Sequence, residues 1–397
     1  MSSSRPWIID DDRYERLRLI AWWDQERLAR ARVLVVGAGA LGNEVLKNLA
    51  LIGVGRIDII DFDRIEASNL TRSVLFRQRD CGRSKAESAA AALADLNPDC
   101  RVVGRSADVL DDVGLGWIRE MDVVIGCLDN REARLWLNRM CWKVGVPWID
   151  GGIQEINGVV KVFVPPASAC YECAMTENDY RLINLRYSCP LLRREDLLAG
   201  RVPTAPTIAS IIGGMQTQEA LKLIHGLPVQ AGKIFVFNGA TNQFYSTAIQ
   251  RREECLSHES WGEPIVGPFS AERHRVEELL DWAAATYGAG DWELVLDRDL
   301  VLAFGCQVCG ERRYVLQVLS RVGHSEATCA ACGQMMTAER VHRIGRNDRG
   351  ADLTLRRAGI PPLDIVRLRS GERELFVLLD GDRHEVLGDQ RGMRGSG

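Results

Sequence analysis

The sequence predicts an α/β chain in which a mostly parallel sheet with an antiparallel extension is followed by a smaller C-terminal α+β domain built around a zinc ribbon. Three observations predict it. Apolar, β-branched runs alternate with helix-like stretches over the first two thirds of the chain. The first such run, Val33–Val36, opens into Gly37, Gly39 and Gly42 at G-x-G-x-x-G spacing. Near the other end, Cys306-Gln-Val-Cys309 and Cys329-Ala-Ala-Cys332 stand at zinc-ribbon spacing. At 397 residues the chain suits two domains, read here as 1–262 and 263–397.

The elements follow in order. Arg13–Arg30 is a charged, helical lead-in with Trp22 and Trp23 as a packing or interface patch. Val33–Val36, the three glycines and the helix-like stretch through Leu51 form a strand, tight turn and helix of Rossmann-like type. Glycine lets the backbone approach a phosphate, and the helix N-terminus offers unpaired N–H groups to the anion. A second strand, Ile57–Ile60, ends in Asp61, about twenty residues past the loop, where an acid accepts ribose hydroxyls. Asp63, Asn69, Arg72 and Lys85 come next, and two cations there suit a triphosphate better than nicotinamide. A third strand, Val123–Ile125, runs into Gly126-Cys-Leu-Asp-Asn130 at the sheet end where open α/β folds bind ligands, which makes Asp129 a magnesium ligand.

Beyond this, Gly151-Gly152 ends a strand, Val159–Val164 is a strand closed by Pro165-Pro166, and Thr207–Leu223 is a helix whose Gly213-Gly214 permits close packing. Phe235–Asn238 and Phe244–Ile249 read as an antiparallel hairpin at the sheet edge. Glycine, proline and charge at Trp261–Pro268 mark the domain boundary. Ala271–Thr286 is then an amphipathic helix, Arg357–Asp380 holds short strands, and the tail to Gly397 is rich in glycine and arginine.

Cysteine usage bears on chemistry. The chain has 12 cysteines, no apolar leader and no run that spans a bilayer, so it reads as cytoplasmic, without a membrane partner and with reduced thiols. Cys170-Tyr-Glu-Cys173 and Cys255-Leu-Ser-His258 would together hold one zinc, and Cys306, Cys309, Cys329 and Cys332 a second. Cys127 and Cys141 fall in apolar settings, Cys81 and Cys100 in polar loops. A formal charge of −4 gives no basis for nucleic-acid binding.

The order G-x-G-x-L-G, D-F-D, S-N-L-x-R, G-x-x-K and C-x-D-N resembles the adenylation domain of ubiquitin-activating enzymes and their ThiF and MoeB relatives, over roughly residues 13–258. Arg13-Tyr14-Glu15-Arg16 resembles that family's N-terminal R-Y-x-R; Ser73 departs from its usual Gln. The resemblance implies Asp61 on the ribose of ATP, Asn69, Arg72 and Lys85 on the phosphates, Asp129 on Mg2+, and Arg16 reaching the nucleotide of a partner subunit in a homodimer. It also implies a crossover segment, about 174–206, in which Cys189 takes the acyl group from AMP. Arg186, Arg193 and Arg194 would there favour the thiolate. Pro190 and the shortness of the loop depart from conjugation enzymes.

The expected function is therefore activation of a ubiquitin-like protein in a bacterial conjugation pathway. Its C-terminal carboxylate is adenylated, carried on Cys189 as a thioester and passed to a conjugating enzyme, with the C-terminal domain recruiting a partner. The alternative is a sulfur-carrier adenylyltransferase without a durable thioester. A non-catalytic scaffold would lack several of the phosphate ligands present here, and NAD-dependent oxidoreduction ranks last.

Overall fold

A computed structural model describes residues 12–188, 203–323 and 325–388. Its larger sheet has eight strands: β1 (Arg32–Val36), β2 (Arg56–Ile60), β3 (Arg101–Arg105), β4 (Val123–Gly126), β5 (Trp148–Gln154), β6 (Asn157–Phe163), β7 (Lys233–Asn238) and β8 (Gln243–Ala248). Their order is β3-β2-β1-β4-β5-β6-β7-β8. The first five run parallel and the last three extend the sheet antiparallel from β5. Reversal of strand order on either side of β1 opens a crevice at the C-terminal ends of β1, β2 and β4, where such folds bind ligands.

The expected strands lie within or beside these ranges, with instructive exceptions. β3 is half-buried along its whole length, so its sequence lacks the continuous apolar signal of its buried neighbours. Gly151-Gly152 does not end a strand: β5 runs through both, because a side chain at Gly151 would lie 2.4 Å from the Gln216 side chain that packs across it. The lead-in is a 3-10 turn, Leu17–Leu19, and a separate helix, Gln25–Arg30, capped by Asp24. Between them Trp22 and Trp23 meet each other in a tilted contact and meet His225, at the end of the helix Pro206–His225, edge-on and tilted, so this patch packs within the chain. Cys100 is buried rather than lodged in a polar loop, its thiol aimed at Ala50 O.

Helices cover both faces of the sheet. Ala40–Leu51, Lys85–Leu96 and Pro206–His225 build one core against Val33, Val35, Ile57 and Ile59. On the other face Leu34, Val36, Ile60 and Val124 meet the helices Leu115–Arg119 and Arg131–Val144. This second core also draws in Leu363, Ile365, Leu378, Val386 and Leu387 from the C-terminal part, each at 3–4% exposure or less. At about 1.5–3 kcal/mol for each such side chain buried, that contact is a major part of the fold.

The second sheet contains β9 (Ile265–Gly267), β10 (Glu293–Gly305), β11 (Arg312–Val318), β12 (Thr337–Gly345), β13 (Ile365–Ser370) and β14 (Arg373–Leu379). Its order is β11-β10-β13-β14-β9, with β12 also paired to β10. β9 falls within the stretch expected to be a linker, and the amphipathic helix begins at Val276 rather than Ala271. Polar contacts tie this sheet to the first. Arg56, 2% exposed, grips Asp58 at 2.9 Å and donates to Leu387 O at 2.7 Å, while Trp117 Nε1 donates to the same Asp58. Arg383 pairs with Glu120 at 2.6 Å and Lys143 with Asp297 at 2.7 Å. No helix among the described residues is long and apolar enough to cross a membrane.

The Arg56 contacts yield a stability prediction. Asp58→Ala leaves a buried guanidinium without its counter-charge and should cost about 3–5 kcal/mol in urea unfolding; a loss under about 1 kcal/mol would show that the pair is dispensable.

Candidate nucleotide site and metal clusters

Backbone crowding shapes the glycine loop. Gly37 has φ +98°, and a Cβ there would lie 2.3 Å from Cys127 O. A Cβ on Gly42 would lie 2.0 Å from Gly37 O. Gly39 faces open space and starts the helix Ala40–Leu51 without a side-chain cap, so first-turn N–H groups remain for an anion. Glycine is thus required twice by contact with neighbouring backbone, while Gly39 leaves the helix N-terminus open.

Asp61 follows β2 and braces the loop: Oδ2 accepts from Ala38 N at 2.7 Å and Oδ1 from Asp63 N at 2.8 Å. Burial raises its pKa, and the nearby Lys85 charge pulls it back. Each oxygen retains lone-pair capacity for a ribose hydroxyl. Lys85 opens the helix Lys85–Leu96 behind the Ser84 cap, and its Nζ lies 2.8 Å from Asp63 Oδ2. A phosphate entering here would share or replace that pair. Asn69 Oδ1 accepts from Glu66 N, and Arg72 Nη1 donates to Ser68 O at 3.0 Å. Both side chains are thus engaged with their own short 3-10 segment.

Asp129 is exposed after β4, and Asn130 Nδ2 donates to it at 3.2 Å while Asn130 Oδ1 caps the helix Arg131–Val144. Its acceptor-only chemistry at a ligand-binding strand end fits Mg2+. Glycine loop, Asp61, Asp63, Lys85 and Asp129 thus share one end of the parallel sheet. Arg16 is not brought to them. Tyr14, two residues earlier, bonds Asp99 and Asn97 just before β3 and packs on Gly53 beyond the far end of the helix Ala40–Leu51. That helix alone spans about 18 Å.

Two positioning residues escape sequence reasoning. Asn43, fully buried, donates to Ala38 O and Gly39 O and accepts from Leu75 N at 2.8 Å, tying the glycine loop to the segment after Arg72. Gln216 reaches across the sheet to Gly126 O at 3.0 Å. Each is a buried polar residue on a helix, and nothing in its local spacing marks the carbonyl it meets.

Both cysteine clusters assemble. In the first, Cys170 Sγ lies 3.7 Å from Cys173 Sγ and 3.6 Å from Cys255 Sγ, and Cys173 Sγ is 3.5 Å from His258 Nε2. In the second, Cys306 faces Cys332 and Cys309 faces Cys329, each at 3.5 Å. A tetrahedron with Zn–S bonds of about 2.3 Å has edges of about 3.8 Å, close to these separations, so both ligand sets fit zinc. Gly310 and Gly333 have φ +77° and +72°, the left-handed turns that let each knuckle fold back. N–H groups of Cys309 and Val308 pull the Cys306 thiol down, while contacts with the other thiols of the cluster push Cys309 and Cys332 up, so one thiolate is favoured within the set before a metal enters. Glu172, between the first two cysteines, accepts from Arg139, Tyr180 and Ser257. Tyr180 belongs to the helix Glu177–Ser188, which occupies the start of the expected crossover loop. Cys189, Arg193 and Arg194 lie outside the described residues, as does the tail beyond Gly388.

The ThiF family profile matches residues 12–257. "Adenylyltransferase and sulfurtransferase MOCS3" of Drosophila yakuba is 33% identical over 244 residues, covering 61% of this chain and 51% of that protein. The chain therefore spans about half the length of such relatives. "Molybdopterin-synthase adenylyltransferase" of Salmonella typhimurium is 33% identical over 252 residues, 61% of this chain and 94% of that protein. Among solved structures, E. coli MccB with ATP superposes at TM-score 0.53 and 26% identity, covering 63% of this chain and 75% of that one.

Metal content provides a direct check. Elemental analysis should find two zinc ions per chain, and Cys306→Ser should remove one while leaving the other; a metal-free protein with both clusters oxidised would contradict the assignment.

Proposed function

The chain belongs to the ThiF family, and from that premise we propose that residues 12–257 adenylate the C-terminal carboxylate of a small ubiquitin-fold carrier protein at the expense of ATP. The observation that carries the reading is the grouping of Asp61, Asp63, Lys85 and Asp129 with the glycine loop at one end of the parallel sheet. Hydride transfer to or from a nicotinamide uses neither Lys85 nor Asp129.

In this reaction the carrier's carboxylate attacks the α-phosphorus of ATP. An acyl–phosphate bond forms, the bond to the β-phosphate oxygen breaks, and pyrophosphate leaves with that electron pair. Both reactants are anions and no proton is removed, so charge neutralisation and alignment are the main needs. Gly39 and the helix behind it would hold phosphate oxygens, and Asp61 the ribose. Lys85 would move from Asp63 to the phosphoryl oxygens as negative charge builds there, joined by Arg72 and Asn69. Asp129 would hold Mg2+, which when bound lowers the charge on departing pyrophosphate. Arg16, carried far from its own chain's loop, would serve the nucleotide of a second copy in a homodimer.

Similarity to a molybdopterin-synthase adenylyltransferase along nearly its whole length favours the sulfur-carrier branch. In that branch the acyl adenylate is released to a sulfur donor. The ubiquitin-like branch, in which Cys189 displaces AMP and a conjugating enzyme then takes the acyl group, differs in one readout. The C-terminal part, with its exposed zinc-ribbon knuckle at Val308, would recruit the partner in either branch.

Two outcomes follow. Asp129→Ala should lower ATP–pyrophosphate exchange by about 10²–10³ or more; near-normal exchange would remove its metal role. On a non-reducing gel with Mg-ATP and a ubiquitin-fold carrier, the sulfur-carrier branch predicts pyrophosphate release and an adenylated carrier without a thiol-sensitive adduct. An adduct in wild type that is lost in Cys189→Ala would establish the conjugation branch instead.

A further inference from the structure

Beneath the C-terminal ends of β4 and β5 lies a cluster of buried charges that the reaction above does not use. Arg134 side chain is 16% exposed, Asp150 0% and Lys161 14%. Arg134 Nε stands 3.0 Å from Asp150 Oδ1, and Lys161 Nζ 2.9 Å from Asp150 Oδ2. Burying such charges gains little stability over apolar residues of the same volume. What they hold is more telling. Arg134 Nη2 donates to Leu128 O at 2.5 Å and to Gly151 O at 3.0 Å, so one guanidinium bridges the loop after β4 and the end of β5. Leu128 immediately precedes Asp129.

We propose that Arg134 and Asp150 are a positioning pair: Arg134 fixes the peptide that carries Asp129, and Asp150, clamped by Lys161, fixes Arg134. The inference rests on the adenylation reading and deepens it. Among the described residues, 126–129 are held by the pairing of Gly126 with β1 and β5, by Cys127 N on Val36 O at 2.8 Å, by Gln216 against Gly126 O and the Cys127 thiol, and by Leu128 O on Arg134. Only the last lies next to Asp129. Among the described residues, the side chain bonded to the exposed Asp129 is that of Asn130, itself committed to capping the following helix. Neither residue of the pair touches substrate; each acts through Asp129. Lysine at 134 would keep the charge opposite Asp150 but has no planar fork to span two carbonyls.

The test is the Mg2+ dependence of ATP–pyrophosphate exchange in Arg134→Lys. The half-saturating Mg2+ concentration should rise by about tenfold or more, the usual scale for removing a group that orients a metal ligand, while the rate at saturating Mg2+ returns toward wild type. Lys161→Met, which strips one cation from Asp150, should shift the same quantity in the same direction by less, and serves if the first variant does not fold. A wild-type Mg2+ requirement in both variants, or a loss of rate equal at every Mg2+ concentration, would overturn the proposal. Mn2+ binding to the ATP complex, followed by electron paramagnetic resonance, reads the same affinity without turnover. A wild type that binds Mn2+ and ATP yet never exchanges pyrophosphate would sink the adenylation reading, while the variants' Mn2+ affinities would still decide the role of the pair.

Discussion

Close approach of three backbone segments governs the candidate site. A Cβ on Gly37 would lie 2.3 Å from Cys127 O, and one on Gly42 2.0 Å from Gly37 O. The helix Ala40–Leu51 can therefore begin directly over the end of β1 and aim its N-terminus into the crevice beside β4. Asp61 and Asn43 lock this arrangement through backbone N–H and carbonyl groups at 2.7–3.0 Å. Everything attributed to phosphate binding depends on that crowding, because any side chain at either glycine would push loop and helix apart.

Charge is arranged around this scaffold in two layers. Lys85, Asp63 and Asp129 face the crevice, where a triphosphate and its metal can rearrange them. Arg134, Asp150 and Lys161 lie behind, shielded from water and held by short contacts. The outer layer suits chemistry in which charge moves, the inner one suits keeping the peptide frame still while it does. On the same face of the sheet Arg56 and Asp58 anchor the C-terminal part through Leu387, so the ribbon of paired cysteines is attached to a unit that shares the core of the larger sheet.

Much of this is legible in the sequence because backbone constraints and metal sites are written in local spacing. The glycine loop follows the first strand, Asp61 the second and Asp129 β4, and each set of paired cysteines comes together in a cluster that could hold a metal ion. Asn43, Gln216 and Arg134 were not legible, since a polar residue on a helix acquires its role from a carbonyl brought near by packing. Gly151-Gly152 misled for a related reason: glycine there makes room for Gln216 rather than ending a strand. β3 and the long β10 carry too weak an alternation to be read, β3 being half-buried throughout and β10 interrupted by register shifts. The coupling of the two sheets through one core has no local signature at all.

The most direct measurement is the mass of a ubiquitin-fold carrier protein after incubation with this protein and Mg-ATP. The carrier should gain one adenylyl group, AMP less one water, formed only with ATP and an intact C-terminal carboxylate, with pyrophosphate released in equal amount. An unmodified carrier together with tight, stoichiometric binding of a nicotinamide dinucleotide in the glycine loop would contradict it.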